Sequence, residues 1–122
     1  MRRTLVPPPT RPSRAARTSE DLKARARLWA SSIGAEPKRL QVQPMRSKWA
    51  SCSTAGTITL SDDLLREDPA FQEIVIVHEL LHLLVPNHGR VFKALMRAYV
   101  PNWETVVTGR VSRNCGFAQR AE

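Results

Sequence analysis

The sequence holds no long apolar run. Its longest, Ile74–Val77, is four residues, whereas a membrane-spanning helix needs about 20, so no span is expected. A signal-peptide core is lacking too. Only Leu5-Val6 separate the basic start from Pro7-Pro8-Pro9, so export is not expected. Cysteine is scarce: Cys52 and Cys115 belong to no CxxC pair and cannot build a disulfide framework. A cytoplasmic protein with reduced thiols is the expectation. Acidic residues are missing altogether from positions 1–17, which instead carry five Arg and four Pro. Such a stretch cannot bury enough apolar surface to fold, and it reads as a disordered basic arm.

What remains is ordinary for a soluble globular chain. At 122 residues, with 42% hydrophobic and 25% charged, one domain is expected and a second core is not. The formal charge is +8, and fifteen of the nineteen cations are Arg. That excess suits an anionic partner such as nucleic acid but says nothing about fold. It is also unevenly spread. Residues 1–20 carry +4 and 21–60 carry +5, whereas 61–104 carry −3 and 105–122 carry +2.

Local signals divide the chain into elements. Thr18 with Asp21 three residues on forms a capping box. Leu22, Ala26, Trp29 and Ile33 recur at helical spacing, and Gly34 supplies the stop. Alternation then predicts short strands over 39–43, 47–52 and 56–60, with Gly56 in a turn. Ser61-Asp62-Asp63 opens a short helical turn. Asp68-Pro69 starts a helix to about Leu84, ended by Pro86-Asn87. A further helix is expected over about 90–99, and Asn102 caps a last segment to about Gly109. Residues 18–109 thus form the domain and 110–122 a tail.

One segment carries chemistry. From Ile74 to Val85 the only polar residues are His78, Glu79 and His82. A helix apolar nearly all round is buried, and burying two imidazoles with a carboxylate costs several kcal/mol unless a cation compensates. Histidines four apart share one helix face, so two ring nitrogens can meet one Zn²⁺ at about 2.0–2.1 Å. Glu79, next to the first ligand, can reach a water on the ion as general base. This is the HExxH arrangement. It arises by chance in roughly one chain of this length in several hundred. Here all three histidines, His78, His82 and His88, fall within eleven residues, which argues against surface or core histidines without metal.

A catalytic zinc takes three protein ligands and keeps one open position. The third ligand is His88, just past the Pro86-Asn87 turn, or Glu104 on the later helical segment. Tyr99 and Asn87 are candidates to stabilise a developing oxyanion. The strand holding Thr57, Ile58 and Thr59 is the candidate edge for an extended peptide. Cys52, beside Trp49, reads as a packed thiol.

Four motifs in order, Arg46-Ser-Lys-Trp-Ala-Ser-Cys52, Gly56-Thr-Ile-Thr-Leu60, His78-Glu-Leu-Leu-His82 and Asn87-His-Gly-Arg-Val-Phe92, resemble the YgjP-like family of metal-dependent hydrolases, which are zincin-type metallopeptidases. The resemblance spans about residues 38–104. It departs where the family's WGSC reads Trp49-Ala50-Ser51-Cys52, and where Ser61 replaces a usual Asn. A single helix and an arm also stand in place of the family's β-rich N-terminal region. A more distant likeness joins His88-Gly89 and Phe92-Lys93 to the SprT-like proteases, which act on DNA-associated proteins.

The elements read above, together with the resemblance, give the expected architecture as an α+β, minimal zincin-like domain: an N-terminal helix, a small antiparallel sheet, the HExxH helix and two further helices. The resemblance implies zinc held by His78, His82 and His88, with Glu79 catalytic. The expected reaction is hydrolysis of a peptide or related amide. Zn²⁺ polarises the carbonyl and lowers the pKa of a bound water from about 15.7 toward 7, while Glu79 accepts the water's proton and passes it to the leaving amine. The competing readings are a DNA-associated SprT-like protease, and a nucleic-acid-binding module, docked through the arm, whose zinc is structural or vestigial. A structural zinc usually has four protein ligands and would leave Glu79 without a task.

Overall fold

The two long helices each begin where a side chain satisfies a free N–H group of the first turn. Thr18 Oγ1 accepts from Asp21 N at 3.1 Å, starting α1 (Ser19–Ile33), and Gly34, at φ 86°, ends it in the left-handed conformation. Asp68 accepts from Phe71 N at 2.9 Å and Pro69 presets the first turn of α2 (Pro69–Leu81). Between them lie β1 (Arg39–Gln43), β2 (Ala50–Cys52), β3 (Thr57–Ser61) and a 3-10 turn, Asp62–Arg66, capped by Ser61. After α2 come α3 (Arg90–Tyr99) and α4 (Trp103–Thr108). The computed structural model describes residues 15–101 and 103–108. Most of the arm, Asn102 with its expected cap, and the tail with Cys115 lie outside them.

The architecture is α+β, and the strands fall close to their expected positions. Their arrangement differs from expectation. The sheet is mixed, in the order β1-β3-β2, with β1 parallel to β3 and β2 antiparallel to it. The cause is the short connection over residues 44–49, which passes the end of β3 and crosses the chain from one edge to the other. Ser61 pins that crossing: its hydroxyl donates to Met45 O at 2.9 Å and its N–H to Trp49 O at 2.8 Å. β2 returns into β3 through a tight turn in which Gly56 N donates to Ser53 O. Gly56 sits at φ 97°, a conformation that favours glycine.

The position of β3 overturns one expectation. Thr57, Ile58 and Thr59 lie in the central strand, with both hydrogen-bonding edges occupied by neighbours, so no peptide can add there. Among the described residues the outer strands are β1, packed by α1, and β2, packed by α2.

The core forms where α1 and α2 meet each other and the sheet. Leu22, Ala26, Trp29, Ala30 and Ile33 are buried from α1, and every residue from Phe71 to Leu81 is buried from α2. Polar contacts tie α2 to α1 and to the segments beside it. Trp29 Nε1 donates to Glu73 Oε1 at 2.8 Å. Gln72, fully buried, uses its amide on both sides: Oε1 accepts from Ala16 N at 2.8 Å, and Nε2 donates to Ala16 O at 2.9 Å and Leu64 O at 2.7 Å. Residues 15–17, expected in the arm, are therefore strapped to the domain. Ala15 and Ala16 are buried, and Arg17 donates to Leu65 O.

Candidate metal centre

α2 delivers two imidazoles and a carboxylate to one place because its apolar surround leaves them nowhere else to go. His78 and Glu79 are each 1% exposed. The helix ends earlier than its apolar pattern predicts, at Leu81, with His82 as its C-cap. Beyond it Leu83 N reaches Leu80 O and Leu84 N reaches Leu81 O, bonds that span three residues rather than four. The tightening precedes Pro86, which disfavours the helical conformation at Val85. The chain then turns back, and Asn87 Oδ1 accepts from Gly89 N at 3.2 Å as α3 begins.

That turn brings His88 onto the α2 pair. His82 Nε2 lies 3.2 Å from His78 Nε2 and 2.9 Å from His88 Nε2, and the third side of the triangle is 3.4 Å. Hydrogen bonding cannot account for this convergence. Each neutral Nε2 is either a donor or an acceptor, so of three adjacent atoms at least two share a role and repel. A cation removes the conflict. The circle through the three nitrogens has a radius of about 1.8 Å, slightly under the zinc–nitrogen bond of about 2.0–2.1 Å. A single ion fits all three and leaves one side open. The triad is the one cluster among the described residues with ligand atoms close enough to share an ion.

The other candidates separate clearly. Glu79 Oε2 stands 3.9 Å from His78 Nε2, beside the triad. Glu104 lies on α4, is 56% exposed and pairs with Arg97 at 3.9 Å, outside the cluster. Tyr99 packs its ring edge-on to Trp29 at 6.1 Å, on the α1 side of the core. Asn87 commits its carbonyl oxygen to the Gly89 turn, so it shapes the loop that carries His88. Cys52 is half-buried, its Sγ 3.7 Å from Ser53 O, and lies outside the cluster. One residue was read only as part of a motif, with no role given to it. Phe92, 1% exposed, has its ring against all three histidines. Its signal was an aromatic residue four positions after His88 at the start of a helix.

The sequence profile of the YgjP-like metallopeptidase domain matches residues 12–108. The chain belongs to that family. Two solved structures are similar to it: the metallopeptidase zymogen jannalysin of Methanocaldococcus jannaschii, and the metallopeptidase zymogen abylysin of Pyrococcus abyssi. The first is 23% identical with a TM-score of 0.62, covering 74% of this chain and 96% of jannalysin. The second is 23% identical with a TM-score of 0.60, covering 79% of this chain and 97% of abylysin. These likenesses show that the YgjP-like chain shares their fold. No curated protein matches the sequence. No helix among the described residues is long and apolar enough to cross a membrane.

Proposed function

We propose that this metallopeptidase domain is a zinc-dependent peptide or amide hydrolase, with His78, His82 and His88 as the metal ligands and Glu79 as general base. The convergence of three Nε2 atoms within 3.4 Å beside a buried carboxylate carries the reading. When bound, the ion supplies Lewis acidity, which activates water and polarises a scissile carbonyl. Glu79 provides the proton path. Its Oε2 is close enough to the ligand cluster to take a proton from the attacking water and release it to the departing amide nitrogen.

Substrate backbone is held along β2 rather than β3. Among the described residues β2 is an outer strand of the sheet, on the α2 side. The Trp49–Ser61 and Ser53–Thr57 hydrogen bonds set the phase of the ladder. In that alternation every second residue of β2 turns its N–H and C=O away from β3, the outward side along which an extended peptide would run.

The test is Glu79→Gln, which keeps shape and removes the base. Casein cleavage by the zinc-loaded variant should fall by about 10²–10⁴-fold with metal content unchanged. Cleavage that survives at the wild-type rate would remove Glu79 from the mechanism.

A further inference from the structure

A single aromatic ring touches all three proposed ligands. Phe92 lies in the first turn of α3, 1% exposed, with its centroid 5.2 Å from His78, 4.8 Å from His82 and 4.9 Å from His88. It stacks on His82 at 29° and meets the other two rings at 74° and 86°. These separations lie within the range of attractive aromatic pairs. The three ligands need such a support because they come from different backbone settings. His78 lies inside α2, His82 on its C-cap, and His88 on a turn. Without an ion, their like-role nitrogens push apart.

We propose that Phe92 is a positioning residue for the metal ligands, a buried flat face that holds the three Nε2 atoms together before the ion arrives. The proposal rests on the metal reading above. An aliphatic side chain of similar volume would fill the same space but offer no plane on which His82 could stack. The contact also favours the loaded state. An imidazole that shares its lone pair with a metal becomes more electropositive, and an aromatic face attracts positive charge. Phe92 therefore supports the ligands in a way that ordinary core packing does not, and the two roles have different consequences.

The experiment compares Phe92→Leu and Phe92→Met with Phe71→Leu. Phe71 is equally buried, but it packs on Trp49 at 5.1 Å, at the other end of α2. Zinc affinity is measured by chelator competition, ligand geometry by the visible spectrum of the Co²⁺-loaded protein, and stability by thermal unfolding without metal. Both Phe92 variants should bind zinc about 10–100-fold more weakly, the usual effect of removing a partner that orients a ligand. Their Co²⁺ bands should shift even at saturation. Phe71→Leu should lower the metal-free unfolding temperature and leave affinity and spectrum unchanged. Methionine is close to leucine in volume but unbranched and flexible, so it fills the gap in a different shape and carries the test should the leucine variant not fold. Wild-type affinity and an unshifted spectrum in a folded Phe92 variant overturn the proposal. A wild-type protein that takes up neither ion overturns the metal reading itself.

Discussion

Replacing Gln72 with Leu should separate the stability of the domain from the chemistry of its site. The side chain is fully buried and makes three hydrogen bonds, two to the backbone of Ala16 and one to Leu64 O. Each bond contributes about 1 kcal/mol net, and each group stranded away from water costs about 1–3 kcal/mol. Leucine fills most of the space but leaves Ala16 N–H, Ala16 C=O and Leu64 C=O facing an apolar side chain. The expected loss is therefore about 3–5 kcal/mol. At about 4–8 °C per kcal/mol for a domain of this size, the midpoint should fall by more than about 10 °C. Urea titration gives the free energy and calorimetry the midpoint. Below its midpoint the variant should still bind zinc with wild-type affinity, because Gln72 hydrogen-bonds to Ala16 and Leu64 and to none of the proposed ligands. A loss under about 1 kcal/mol would show that residues 15–17 are not held as described. An equal collapse of metal affinity would show that the strap and the site are one unit.

Two further outcomes follow. Gly56→Ala should cost about 1–2 kcal/mol, because a side chain at φ 97° is strained and its Cβ would stand 3.1 Å from Lys38 Cγ; an unchanged urea midpoint would refute this. Deleting residues 1–14 removes four arginines and leaves the Ala16–Gln72 strap intact. If the arm docks nucleic acid, the slope of log affinity against log salt for a DNA duplex should flatten by up to about 3–4, and an unchanged slope would retire that role.

The helices and the first two proposed ligands were legible in the sequence because their determinants are local. Thr18, Gly34 and Asp68-Pro69 mark helix ends by contacts within a few residues. His78 and His82 share a face by spacing alone. The sheet was less legible, since its order depends on Ser61 reaching back to Met45 and Trp49, contacts that no alternation of apolar residues encodes. The same limit hid the Gln72–Ala16 clamp, whose partners lie 56 positions apart. Choosing between His88 and Glu104 by residue chemistry alone left both open, because either side chain can bind zinc. Geometry separates them: the Asn87–Gly89 turn carries His88 onto α2, while α4 leaves Glu104 at the surface with Arg97. Phe92 belonged to a recognisable motif, but its contact with three rings exists only after α3 has packed on α2.

The central claim is that three histidines hold one catalytic metal, and metal content tests it directly. Wild type, His88→Ala and Glu104→Ala are purified in parallel and their metal measured by mass spectrometry. About one zinc ion per chain is expected in wild type and in Glu104→Ala, with most of it lost from His88→Ala. Zinc retained by His88→Ala and lost from Glu104→Ala, or a wild-type protein that takes up none, would contradict the account.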